Sequence, residues 1–147
     1  MDEMKIMLVD DEEGFLLTTK KLLERKGIRV TTAMSGSEAL EKLMQETIHV
    51  VVLDVKMPGM DGVTALKAIK SRFPLVEVIM FTGHASVDSA VDGLMSGATD
   101  YLTKPLDIEE LIAKVEEAFA RGRYQEEKVR GEQSRAEAKR SEKASKK

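Results

Sequence analysis

Three short runs dominated by apolar residues, Met4 to Val9, His49 to Leu53 and Val76 to Phe81, most constrain what this chain can become. Each has strand length, and none shows the apolar/polar alternation of a strand with one wet face. Strands this apolar must be covered on both faces, the condition met by a parallel sheet lying between helix layers. Each run also stops at polar groups: Asp10-Asp11-Glu12-Glu13 after the first, Asp54 after the second and Thr82-Gly83 after the third.

The segments between the runs read as helices and weaker strands. Phe15, Leu16, Leu22 and Leu23 recur at seven-residue intervals up to a stop at Lys26-Gly27, and Arg29 to Ala33 is a β-branched strand. Ser35 with Glu38 forms a capping box ahead of a helix whose apolar face is Ala39, Leu40, Leu43 and Met44. Ala65, Leu66, Ile69 and Phe73 mark a third helix, and Val87, Ala90, Val91 and Leu94 a fourth, closed by Gly97. Asp100-Tyr101-Leu102 is a short fifth strand ending at Thr103-Lys104-Pro105. Asp107 caps a final helix with Ile108, Leu111, Ile112, Val115 and Phe119 on its buried face. Five strands alternating with five helices predict an α/β fold in three layers with a doubly wound parallel sheet. The order 2-1-3-4-5 keeps every crossover right-handed and puts the most apolar strands in the middle.

Composition removes whole classes of function. The 147 residues suit one core. No apolar run approaches a membrane span, and the opening Met-Asp-Glu-Met-Lys has no signal-peptide pattern, so the expected location is cytoplasmic. There is no cysteine, and the two histidines, His49 and His84, do not make a zinc site, so any metal here has oxygen ligands. Residues 1–121 carry 14 basic against 21 acidic side chains, whereas residues 122–147 carry 9 against 5. A domain boundary is therefore expected near Arg121, with 122–147 a basic tail that is either a linker or an extension of the last helix. Its five acidic residues and single aromatic, Tyr124, argue against nucleic-acid binding. Most of the nine methionines, including Met7, Met44 and Met80, read as core filler.

In an open parallel sheet, ligands bind beyond the carboxyl ends of the strands. That rule collects Asp10, Asp11, Asp54, Thr82 and Lys104 at one edge. Asp10-Asp11 alone would also suit a helix N-terminus, but their convergence with Asp54 and Lys104 argues for a site. Three carboxylates held together call for a cation, and an all-oxygen set with waters favours Mg2+ over a Ca2+ cage; the EF-hand spacing is absent. Lys104 and Thr82 suit the oxygens of a transferred phosphoryl group, with Asp54 as carboxylate nucleophile. Asp61 reads as a cap for the third helix and Gly59, Pro58 and Gly62 as turn residues, whereas His84, two residues past Thr82, reads as a modulator of access.

Four blocks, LVDDEE (8–13), VVLDVKMPGMDG (51–62), IMFTGHA (79–85) and DYLTKPLD (100–107), resemble the receiver domain of two-component response regulators over roughly residues 4–121. The resemblance implies a flavodoxin-like fold, Asp54 as phosphoacceptor, and Asp11, Asp54 and the Lys56 carbonyl as Mg2+ ligands, with Asp10 acting through water. It further implies Lys104 as phosphate partner, Thr82 as switch hydroxyl, Tyr101 as switch aromatic and a cis bond at Lys104–Pro105. Lys56 and His84 then flank the path of a water attacking the acyl phosphate. The implied partners are a sensor histidine kinase or phosphotransfer protein and an output protein, with the chain a monomer or a phosphorylation-dependent dimer. The only reaction expected is the chain's own phosphorylation and dephosphorylation, so it is not expected to be an enzyme. No effector pattern follows residue 121, so a stand-alone receiver or the amino-terminal piece of a longer regulator is expected. Two rivals share some of these features. A phosphorylation-independent interaction module would keep the fold, but intact Asp54, Lys104 and Thr82 argue against it. An Asp-nucleophile phosphatase would need a second Asp where Lys56 stands.

Overall fold

Strands β1 (Lys5–Val9), β2 (Arg29–Ala33), β3 (Val50–Asp54), β4 (Glu77–Thr82) and β5 (Asp100–Thr103) form one parallel sheet in the order β2-β1-β3-β4-β5. The computed structural model describes residues 4–55, 62–82 and 96–145. Among them are four helices, α1 (Glu13–Arg25), α2 (Gly36–Gln45), α3 (Gly62–Arg72) and α4 (Ile108–Ser145). The helix expected over Val87 to Leu94 lies outside the described residues, as do Pro58, Gly59 and Asp61.

The sheet has a core on each side because successive strand residues point to opposite faces. Met7, Val9, Val51, Leu53, Val78 and Met80 pack with Leu40, Leu43, Leu66 and Ile69 of α2 and α3. Ile6, Leu8, Val50, Val52, Ile79 and Phe81 pack with Leu16, Leu23, Leu111 and Val115 of α1 and α4. Every residue of β3 is buried, as its unbroken apolar run requires. On α4 the fully buried positions are Leu111, Val115 and Ala118, with Ile108, Ile112 and Phe119 partly buried beside them.

Helix ends follow the expected chemistry. Gly27, at φ +83°, accepts the left-handed turn after α1; its N–H donates to the Glu24 carbonyl and that of Ile28 to the Leu23 carbonyl. Ser35 Oγ accepts from the Glu38 N–H, and the Glu38 carboxylate reaches back to the Met34 N–H, one residue beyond a standard capping box. Asp107 Oδ1 accepts from the N–H groups of Glu109 and Glu110 at the start of α4.

One expectation is corrected. Met44 is 71% exposed and is not core, although Met7 and Met80 are fully buried. It sits one turn beyond Leu40 in the last turn of α2, where its neighbour Leu43 takes the buried position and Met44 falls on the exposed flank. The final helix runs on without a break, and Gly122, Arg123 and Glu126 still line a pocket of about 200 Å³ with Ile48, His49, Leu75 and Phe119. Arg123 sits over the Phe119 ring, 5.8 Å from its centroid.

Candidate functional site

The carboxyl ends of β1, β3 and β5 bring the expected residues together. Asp10 follows β1 directly and is 1% exposed; its own N–H extends the ladder by donating to the Ala33 carbonyl. Asp54 is the last residue of β3 and is 6% exposed, while Asp11 beside them is open to solvent. Each of the three offers a carboxylate oxygen, and these oxygens lie within 4.8 Å of one another. An all-oxygen, anionic set of this kind fits a hard divalent cation such as Mg2+ and does not suit a softer ion.

Lys104 balances the cluster. Its Nζ lies 2.9 Å from Asp10 Oδ2 and 3.8 Å from Asp54 Oδ2. Burial pulls its pKa down, but the Asp10 hydrogen bond and the charges of Asp10, Asp54 and Glu12 outweigh this, and the net shift is upward. The residue therefore stays cationic at neutral pH. The other oxygen of Asp10, Oδ1, accepts from the Glu12 N–H at 2.9 Å, so one carboxylate both holds the lysine and closes an Asx turn just ahead of α1. The Lys104–Pro105 bond is cis.

Local backbone geometry presses the start of α3 against the end of β3. The Gly62 N–H donates to the Val55 carbonyl at 2.8 Å, and a Cβ at Gly62 would stand 2.4 Å from Val55 Cα and 2.5 Å from the Asp54 carbonyl oxygen. Only glycine fits there.

Thr82 ends β4 beside Thr103, but its side chain lies outside what is described. Lys56 and His84 lie outside the described residues. Tyr101 points to the α2/α3 face, half-buried, and its hydroxyl has no hydrogen-bond partner among the described residues; burial raises its pKa. Sequence reasoning passed over Phe15 and Phe81, whose rings lie within 6 Å of the Lys104 ammonium. Their proximity to Asp11 and Thr82 in sequence was the available signal.

Residues 6–116 match the family model described as the response regulator receiver domain. The chain belongs to that family. Among curated proteins, this receiver is similar to the DNA-binding transcriptional regulator NtrC of Escherichia coli (strain K12), with 42% identity over 83% of this chain and 26% of the relative. The chain thus spans about a quarter of the length of the curated relatives it matches. Among solved structures, a CheY-like receiver domain protein from Methanospirillum hungatei JF-1 superposes with a TM-score of 0.80 and 31% identity, covering 84% of this chain and 99% of that one. The beryllofluoride-activated NtrC4 receiver domain dimer superposes at 0.76 with 37% identity, covering 80% and 98%. Asp10, Asp11, Asp54 and Lys104 all lie within the matched residues, on the edge just described. No helix among the described residues is long and apolar enough to cross a membrane.

Proposed function

We propose that this receiver takes a phosphoryl group onto Asp54 from a phosphohistidine of a sensor histidine kinase or phosphotransfer protein, in a Mg2+-dependent reaction. It then signals by binding an output protein or by passing the phosphoryl group on. The observation that carries the reading is the position of Asp54: at a strand end, almost buried, with Asp10 and Asp11 within reach and Lys104 at 3.8 Å. Asp11 and Asp54 would hold Mg2+ directly and Asp10 through water, with the Lys56 carbonyl implied as a further ligand by family likeness. The ion, when bound, neutralises charge on the phosphoryl oxygens.

The remaining work falls to this chain's residues. An Asp54 carboxylate oxygen forms the new bond to phosphorus as the phosphorus–nitrogen bond of the donor breaks, and the electron pair returns to the donor imidazole. The Lys104 ammonium stabilises a phosphoryl oxygen, and the Thr82 hydroxyl and Tyr101 ring couple the modified site to the β4–β5 surface. His84 and the Lys56 side chain govern the access of water. The chain acts on itself alone, and the activated NtrC4 receiver dimer supports a phosphorylation-dependent dimer here.

Acetyl phosphate with Mg2+ tests the reading. Intact-mass measurement should show one added, hydroxylamine-sensitive phosphoryl group in the parent chain and none in Asp54→Asn, whose amide is not a competent nucleophile. Equal labelling of Asp54→Asn would overturn the assignment, and no labelling of the parent would favour the phosphorylation-independent module.

A further inference from the structure

The Lys104 ammonium has neighbours that the roles above do not use. Phe15, in the first turn of α1, and Phe81, the penultimate residue of β4, stack with centroids 5.6 Å apart and planes 26° from parallel. Lys104 Nζ lies 4.9 Å from the Phe15 centroid and 5.4 Å from that of Phe81, inside the range in which a ring quadrupole attracts a cation. Phe81 is 2% exposed and pairs in register with Asp54 on one side and Leu102 on the other, while Phe15 is only partly buried.

The chemistry of the edge makes this arrangement useful. An ammonium on a flexible four-carbon stem faces Asp10, Asp54 and the more distant charge of Glu12, and it is already closer to Asp10 than to Asp54. Full capture by Asp10 would withdraw it from an incoming phosphoryl oxygen. A ring face attracts the cation but brings no formal charge or proton, so it limits where the ammonium goes without competing as an anion for it. Its gain is preorganisation: the stem's freedom is already lost before the phosphoryl group arrives.

We propose that Phe15 and Phe81 form an aromatic shelf that holds the Lys104 ammonium between Asp10 and Asp54, making both rings positioning residues for phosphoryl transfer. The proposal rests on the reading of Asp54 as phosphoacceptor. Phe15 is the residue to vary, since Phe81 is core. Phe15→Leu keeps an apolar side chain without the ring, Phe15→Tyr keeps the ring, and Phe15→Met replaces Leu if that variant folds poorly.

Two readouts decide it. In the parent and in Phe15→Tyr, ring currents should move the Lys104 Cε proton resonances upfield, and Phe15→Leu should return most of that shift. In saturating Mg2+, Phe15→Leu should be phosphorylated by acetyl phosphate about two- to thirtyfold more slowly, with Phe15→Tyr close to the parent and Mg2+ affinity unchanged. In a Lys104→Met background, the same Phe15→Leu change should slow the reaction no further. Ordinary Lys104 resonances in the parent, or equal slowing with and without Lys104, would overturn the shelf. Failure of the parent to be phosphorylated would overturn the reading of Asp54 instead, and the ring-current measurement tells the two apart because it needs no phosphoryl group.

Discussion

Asp10 and Asp11 are neighbours in sequence with different surroundings. Asp10 is buried and committed through both oxygens, to the Glu12 N–H and to Lys104. Asp11 is exposed, and no hydrogen bond of its side chain is described. Removing Asp11 therefore leaves the α1 entry and the lysine contact in place while taking one negative charge from a cluster of three. Asp11→Ala is expected to keep or slightly raise the thermal midpoint in EDTA and to weaken Mg2+ binding by about tenfold or more. Calorimetric titration with Mg2+ checks the second part, and an unchanged affinity would remove Asp11 from the metal site. Mg2+ should also raise the parent's midpoint by mass action and do so much less in the variant.

At the scale of elements, the tightest constraint is the junction of β3 and α3. Gly62 returns the chain to within van der Waals contact of the Asp54–Val55 backbone, so a methyl there must displace either α3 or the end of β3. Gly62→Ala is expected to lose at least about 2 kcal/mol in urea unfolding and to slow phosphorylation of Asp54 as well. A variant of parent stability would mean that the junction relaxes freely. The strands were legible because continuous apolar runs such as Val50 to Leu53 admit few other readings, and the carboxylates were legible because strand ends gather at one edge. Gly62 was read only as a turn residue, since a close approach between backbones separated by a loop leaves no mark in composition. Phe15 and Phe81 were missed for a related reason. Each satisfies the apolar pattern of its own element, and only the contact of the two rings across one face of the sheet turns two apolar residues into a surface for a cation. Met44 fits the helical period of α2, but the period alone does not say that Leu43 fills the last buried position and leaves Met44 exposed.

For the whole molecule, the acidic body and basic extension are joined by one helix of 38 residues. Its first part packs on β4 and β3, and its contact with the body continues past Arg121 through Gly122, Arg123 and Glu126. Ending the chain at Lys128 is expected to change stability by less than about 0.5 kcal/mol. Ending it at Arg121 should cost about 1–2 kcal/mol, because Ile48, His49 and Phe119 lose their cover. Thermal unfolding of the two truncations side by side is the check, and equal midpoints would show that the pocket wall contributes nothing. From that wall outward, Arg123–Glu127 and Glu126–Arg130 pairs at i,i+4 spacing support the exposed helix. The unbroken course of α4 also makes it a lever. Residues 122–145 add about 36 Å of axis at 1.5 Å per residue, so a tilt of about 5° where the helix rests on β4 becomes a displacement of about 3 Å at Ser145. A change too small to alter the packing of the sheet is multiplied by leverage at the far end of the chain.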